Sequence, residues 1–282
     1  MIKKLFSILL CAALLLTGSA QAGEPQPRPI GVSILPLQAF VAKVFGSDDN
    51  VVLAVPQGAS PESYEPSPIE MKKLSTSLLY FSIGMPTEAS KIIPFLSTDT
   101  QLVRLDEEVA AVYPDLTIDG DRDPHIWLSI KRVKLMIDAM EESFSALFPE
   151  QAEQFRKNAE DYHAELDATD EYIRNALRNI KDNKFIAFHP AFQYFAEDYG
   201  LEMYALEEHG KEATAKMLER MLGIAKEYNI RVIFMQDEVS ARQAEAFASA
   251  IGGRVLTLSP LAYDYTDNLK LMADTLAEVL SQ

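Results

Sequence analysis

The sequence predicts an α/β protein whose parallel β-sheets are connected by crossover helices. Short β-rich runs alternate with helical stretches along most of the 282 residues, and this alternation is typical of parallel sheets. The runs fall into two sets, and a long helical region separates them. We therefore predict two lobes, each a parallel-sheet α/β domain, joined by one long rigid backbone helix. An outer helix of one large domain is the alternative interpretation of the middle region.

The two sets of predicted elements have similar architecture. In the first set, strands are predicted at 30–34, 51–55, 78–83 and 101–105, with helices at about 36–45, 68–75 and 88–96. In the second set, strands are predicted at 184–188, 202–206, 231–235 and 254–258, with helices at about 191–199, 214–228, 241–251 and 265–280.

The middle region predicts two helices, at about 126–148 and 149–180. Pro149 suits the first position of the second helix. Its apolar residues recur at helical spacing and form one stripe: Phe155, Ala159, Tyr162, Leu166, Ile173, Leu177 and Ile180. At 1.5 Å per residue this helix would be roughly 45 Å long, which suggests a stiff connection. The predicted lobes are therefore 23–148 and 181–282, with 149–180 as the linking helix.

The first 22 residues have the pattern of a secretory signal peptide. A short basic start is followed by an apolar run from Leu5 to Leu16 and then by small residues, with cleavage expected before Gly23. About 12 apolar residues are too few to cross a bilayer, which needs roughly 20. No later stretch is long enough, so we predict an exported, periplasmic protein without stable membrane insertion.

Charge and cysteine content exclude several classes of function. Asp and Glu number 42 against 26 Lys and Arg. Removal of Lys3 and Lys4 with the signal peptide lowers the net charge from −16 to −18. Nucleic acid is therefore not a predicted partner, because phosphate binding needs a basic surface. The only cysteine, Cys11, lies in the signal peptide, so we expect neither a disulfide nor a thiolate ligand.

The four histidines differ in their predicted positions. His189 directly follows a strand at 184–188, where ligands bind in open α/β sheets. His125 precedes a helix, next to Trp127, which we expect in the core. His163 lies one position off the apolar stripe and is predicted to face solvent. His209 lies in a polar loop and is predicted to be solvated, unless that loop covers a cleft.

Recognisable catalytic motifs are missing from the sequence. It contains no G-x-S-x-G, H-E-x-x-H, P-loop or G-x-G-x-x-G pattern, so we predict that the protein is not an enzyme. Two histidines with one or more carboxylates are sufficient for a divalent cation site. Such a donor set suits Zn²⁺, and also Mn²⁺ or Fe²⁺.

Three segments resemble those of the zinc/manganese ABC-importer solute-binding proteins: 58–66, 123–128 and 188–195. Residues 232–234 and 258–261 match the same family in order and spacing, so the resemblance covers essentially the whole mature chain. It implies two α/β lobes joined by a long helix, with a metal held between them. It also implies a monomeric periplasmic protein that delivers the metal to an inner-membrane ABC permease. A metal-binding adhesin and, remotely, a secreted metallohydrolase with Glu62 or Asp237 as base are the alternatives.

The resemblance implies a ligand set that departs from the usual family pattern. His125 and His189 match two family ligands, but Glu62 stands where the family usually has His. Ser259 replaces a frequent Asp, and Gln236 stands where many members have Glu. We predict a metal site of Glu62, His125, His189 and Asp264, with Asp237, Glu208 or water as other candidates for the fourth position. A degenerate site that binds no metal is the alternative.

The predicted metal is zinc, with manganese or ferrous iron as alternatives. Two imidazoles and a carboxylate favour Zn²⁺ over Mn²⁺ by the Irving–Williams order. A bidentate Glu62 in a six-coordinate shell would instead suit manganese or iron. Because a protonated imidazole cannot bind metal, binding should weaken below roughly pH 6.5.

Overall fold

The computed structural model describes residues 27–118, 120–207, 214–237 and 241–282. The predicted signal peptide with its cleavage site before Gly23, together with Cys11, lies outside the described residues. So do Glu208, one candidate for the fourth ligand position, and His209.

The first sheet has four parallel strands in the order β2-β1-β3-β4. They are β1 Ile30–Val32, β2 Val51–Leu53, β3 Leu79–Ser82 and β4 Gln101–Arg104. Its helices are α1 Leu35–Phe45, α2 Pro68–Leu74 and α3 Leu105–Ala110, of which α3 was not predicted.

The predicted helix at 88–96 is not an α-helix. The structure has a π-helical turn Glu88–Ile92, followed by a 3-10 turn Ile93–Phe95. Pro94 explains part of this difference, because proline has no N–H to continue an α-helical hydrogen-bond ladder.

The middle region contains a short hairpin that was not predicted and two long helices. The hairpin pairs β5 Thr117–Ile118 with β6 Asp121–Arg122. The predicted helix at 126–148 is interrupted: a 3-10 turn Ile126–Leu128 precedes α4 Ile130–Leu147, and the Ser129 side chain caps α4. The predicted helix at 149–180 is shorter, since a 3-10 turn Pro149–Gln151 leads into α5 Ala152–Ala176. The 25 residues of α5 span about 37 Å.

The second sheet also has four parallel strands, in the order β10-β9-β7-β8. They are β7 Lys184–Ala187, β8 Glu202–Ala205, β9 Val232–Met235 and β10 Arg254–Thr257. The associated helices are α6 Gln193–Tyr199, α7 Ala215–Glu227, α8 Ala241–Ala250 and α9 Tyr265–Leu280.

Helix α5 packs against helices from both halves of the chain. Its predicted apolar stripe is buried from Phe155 to Ile173 and contacts α1, α4 and α9. The ring of Phe40 in α1 lies 6.1 Å from Tyr162 in α5 and 4.9 Å from Tyr265 in α9. One apolar core therefore continues from the first sheet to the second.

Hydrogen bonds also connect the two halves. The indole of Trp127, buried as predicted, donates to the Pro260 carbonyl at 2.8 Å. The Tyr265 hydroxyl donates to the Trp127 carbonyl at 2.7 Å, and the Tyr194 hydroxyl donates to the Asp123 carbonyl at 3.0 Å. These bonds fix the segment 123–128 against the second half of the protein.

Arg132 is a buried cation between the halves. Its side chain is only 2% exposed and its guanidinium lies 4.4 Å from the Tyr194 ring centre. Nη1 lies 3.1 Å from a Glu197 carboxylate oxygen and 3.5 Å from one of Asp198. Nη2 donates to the Pro114 carbonyl at 3.3 Å. Arg132 therefore connects α4 to the acidic end of α6.

No helix in the described ranges combines the length and apolar character needed to cross a membrane.

Candidate metal centre

Three predicted ligands converge where loops from the two sheets meet. Glu62 lies in the loop after β2, His125 precedes α4 and His189 follows β7. One potential ligand atom from each residue lies within 4.8 Å of the others. The Nε2 atoms of His125 and His189 are 3.3 Å apart, and His189 Nε2 is 3.2 Å from Glu62 Oε1.

These distances fit ligands that share one tetrahedral ion. Two imidazole nitrogens, each about 2.0–2.1 Å from a tetrahedral zinc ion, lie roughly 3.3–3.4 Å apart. A carboxylate oxygen at a similar metal distance lies about as far from each nitrogen. The two separations from His189 Nε2, 3.3 Å to His125 Nε2 and 3.2 Å to Glu62 Oε1, match this spacing.

The His125 ring is oriented by the carboxylate two residues before it. Asp123 Oδ1 accepts a hydrogen bond from the His125 backbone N–H at 2.9 Å and lies 2.7 Å from His125 Nδ1. Asp123 is fully buried. A proton on Nδ1 satisfies this bond and leaves the Nε2 lone pair for a metal.

The His189 ring has an equivalent partner in Glu207. Glu207 Oε2 lies 3.0 Å from His189 Nδ1, and the Glu207 backbone N–H donates to the Phe188 carbonyl at 2.8 Å. Burial acts to lower the pKa of His189, but hydrogen bonds and charges from Glu207 and Glu62 outweigh it and raise this pKa to about 9.

Sequence reasoning did not assign roles to Asp123 and Glu207. The role of Asp123 could have been recognised from the sequence, because only Pro124 separates it from the candidate ligand His125. Glu207 required the strand order. In the β7–β8 pair Ala187 lies opposite Ala205, and extending this register by two residues places His189 opposite Glu207.

The structure does not place Asp264 in the cluster. Asp264 immediately precedes α9 and lines a separate cavity of about 340 Å³, together with Asp237 and Ser259. Asp264 as fourth ligand stays a prediction, and the other candidate Asp237 lines the same separate cavity.

His163 also lies outside the cluster, as predicted, but it is only partly exposed to solvent. Its side chain is 24% exposed, and Nε2 lies 3.1 Å from an Asp138 oxygen.

A cavity adjoins two of the three convergent residues. It measures about 480 Å³, and Glu62 and His125 form part of its wall together with Gly84, Thr87 and Arg122. A cation held by the cluster would therefore have space beside it for water.

Comparison with known families identifies the class of protein. The family model described as "Zinc-uptake complex component A periplasmic", or ZnuA, matches residues 30–279. The chain belongs to this family. The resemblance to metal-importer solute-binding proteins is therefore confirmed.

Individual relatives support this assignment. The zinc-binding lipoprotein AdcA of Streptococcus pneumoniae serotype 4 is 27% identical over 268 residues, which cover 89% of this chain and 54% of AdcA. The chain thus spans about half the length of the curated relatives it matches. A ZnuA crystal structure is 33% identical with a TM-score of 0.84, covering 90% of this chain and 99% of that one. A zinc-bound ZnuA deletion mutant is 33% identical with a TM-score of 0.83, covering 90% and 98%. The predicted α/β fold with parallel sheets and a long helix is confirmed.

Proposed function

We propose that this ZnuA family member is a periplasmic carrier that captures Zn²⁺ between two lobes and delivers it to an inner-membrane ABC permease. The lobes are residues 23–148 and 181–282, linked by 149–180, and the carrier acts as a monomer. The observation that carries this proposal is the convergence of Glu62, His125 and His189, with His125 Nε2 and Glu62 Oε1 each at tetrahedral spacing from His189 Nε2.

Two further observations support zinc as the cargo. Each imidazole has a buried carboxylate on its Nδ1 atom, and such partners orient histidines toward a metal. A relative that is 33% identical has been crystallised with zinc bound. We assign the fourth position to water from the adjoining cavity. Manganese and ferrous iron remain the alternative cargoes. Membership of a zinc-uptake family supports the carrier role.

Metal titration of the purified mature protein tests the proposal. We expect one Zn²⁺ per chain, bound more tightly than Mn²⁺ in competition with a coloured chelator. His163→Ala is the matched control, because His163 lies on α5 outside the cluster, and it should titrate like the wild type. The absence of saturable binding at one ion per chain would contradict the proposal.

The carboxylates behind the histidines should contribute to zinc affinity. We expect Asp123→Asn and Glu207→Gln each to weaken zinc binding by about 10–100-fold near pH 9, where protons compete least for His189, because each loses a charged acceptor that orients an imidazole. Asp138→Asn is the control, since Asp138 pairs with a histidine outside the cluster. Chelator competition measures all three variants. Wild-type affinity in both test variants would show that these contacts do not influence the metal.

Zinc affinity should keep rising with pH well above 6.5, the ordinary histidine pKa on which the sequence-based expectation rested. Because the pKa of His189 is raised to about 9, the imidazole is protonated at neutral pH and must lose its proton to bind zinc. Affinity should therefore rise with pH, by about tenfold per unit, and level off near pH 9.

The raised pKa of His189 also stabilises the metal-free fold, and this contribution is fully present below roughly pH 6.5. This contribution is lost as the pH rises through 9.

Competition titrations at several pH values measure this dependence. In Glu207→Gln the affinity should level off at a lower pH, since one of the groups that raises the pKa of His189 is neutralised. A wild-type profile that is already flat at neutral pH would contradict the prediction.

A further inference from the structure

Glu62 is held by contacts on both sides of it in the chain. The hydroxyl of Thr87 donates to the carbonyl of Pro61 at 3.2 Å, one residue before Glu62. Lys91 forms an ion pair with Glu65, three residues after Glu62. Both partners belong to segment 87–91, which contains most of the π-helical turn. Such turns occur frequently at functional sites.

Segment 87–91 is itself anchored by a buried carboxylate. Glu88 is 1% exposed and accepts hydrogen bonds from the backbone N–H groups of Ile83 and Met85, at 3.2 and 2.9 Å. The Tyr80 hydroxyl donates to it at 3.0 Å, and the Ser33 hydroxyl is a further donor. Glu88 thus fixes this segment to the ends of β1 and β3.

The loop between β3 and segment 87–91 has little freedom to move. Arg122 Nη1 donates to the carbonyls of Ile83 and Gly84, at 3.1 and 3.3 Å. Gly84 has a φ of +74°, and a Cβ there would meet Asp106 at 2.1 Å, so only glycine fits. Segment 87–91 is therefore a fixed support for the loop that carries Glu62.

This support has a consequence for the choice of metal. In the observed position Glu62 Oε1 lies 3.2 Å from His189 Nε2, the spacing of two ligand atoms that share a four-coordinate ion. A six-coordinate manganese ion would be better served by both carboxylate oxygens and more oxygen ligands. A larger shell is favoured by movement of the loop that carries Glu62, and the contact between Thr87 and the Pro61 carbonyl opposes that movement.

We propose that Thr87 is a positioning residue that holds Glu62 as a single-oxygen ligand and thereby favours zinc over manganese. This inference rests on the proposed function, and it deepens it by naming a determinant of metal selectivity. Thr87 does not contact the metal in this proposal. It acts through the backbone of the Glu62 loop.

The test compares Thr87→Val, which removes the hydroxyl at nearly constant shape, with Thr87→Ser, which keeps it. We expect Thr87→Val to weaken zinc binding by about 10-fold, as loss of an outer contact does, and to leave manganese affinity unchanged. Co²⁺ in place of zinc reports coordination number, because four-coordinate Co²⁺ absorbs visible light much more strongly than six-coordinate Co²⁺. Thr87→Val should show weaker Co²⁺ absorption, and Thr87→Ser should match the wild type.

Thr275→Val is the matched control, because Thr275 lies in α9 and its hydroxyl donates to the Leu271 carbonyl within that helix. It should match the wild type in every measurement. Unchanged zinc affinity and Co²⁺ absorption in Thr87→Val would overturn the inference, as would equal losses for zinc and manganese with an unchanged spectrum. If the wild type binds no zinc, the proposed function itself fails. If the wild type binds zinc and Thr87→Val has the same zinc affinity and Co²⁺ absorption, only the role of Thr87 is contradicted.

Discussion

Replacing His189 with alanine is expected to lower zinc affinity by more than about 100-fold, since even outer partners of metal ligands are worth about 10–100-fold. The substitution removes one of three convergent donors. It also leaves Glu62 and Glu207 beside each other without the imidazole that separates them. His125→Ala should show a loss of the same order, because its Nε2 atom is the second nitrogen of the site.

The measurement is zinc titration against a chelator of known affinity, with circular dichroism to verify folding. His163→Ala is the control for loss of an imidazole elsewhere. Glu62→Ala belongs in the same series, because Glu62 is the ligand that departs from the usual family histidine. Equal affinities for the wild type, His189→Ala and Glu62→Ala would rule out the ligand assignment.

Replacing Arg132 with alanine is expected to lower the free energy of unfolding by about 3 kcal/mol, the order typical when one partner of a buried ion pair is removed. The guanidinium is almost fully buried beside Asp198, which is also buried, and it packs on Tyr194. Lys131 still lies 2.6 Å from Asp198, which keeps the loss from being larger.

Urea denaturation measures this effect, and Arg156→Ala is the matched control. Arg156 pairs with Glu153 on the exposed surface of α5, with half of its side chain exposed. Exposed ion pairs contribute about 0–1 kcal/mol, so the control should change stability little. A similarly small change in Arg132→Ala would show that the contact between α4 and α6 is not important for stability.

The sequence predicted most of the fold because its signals are local. All eight strands of the two sheets follow β-rich runs, and the observed bounds differ from the predicted ones by at most two residues. The errors lie where tertiary contacts or single residues decide the structure. Ser129 interrupts the helix predicted at 126–148 by capping α4, and Pro94 is incompatible with an α-helix at 88–96.

The site was predictable only as far as each residue's own position allowed. His189 was recognised from its place after a buried strand, and Glu62 and His125 from their motifs. Asp264 also follows a strand, but its distance from Glu62 and His125 depends on how the two halves of the protein pack together. Glu207 comes next to His189 only through the pairing of β7 with β8. Thr87 reaches the Pro61 carbonyl from a different element, which no local pattern indicates.

The spacing of the three ligands along the chain has a consequence beyond binding. Glu62, His125 and His189 are separated by about 60 residues each, and an ion held by all three closes two long loops of the chain. Bringing the ends of long loops together costs chain entropy, so the unfolded chain does not assemble the site, and a ligand that binds only the native state stabilises that state. Because one apolar core runs beneath both sheets, this stabilisation reaches the whole molecule. Proteases, which cut opened chains, would then degrade the metal-free protein faster than the zinc-loaded protein.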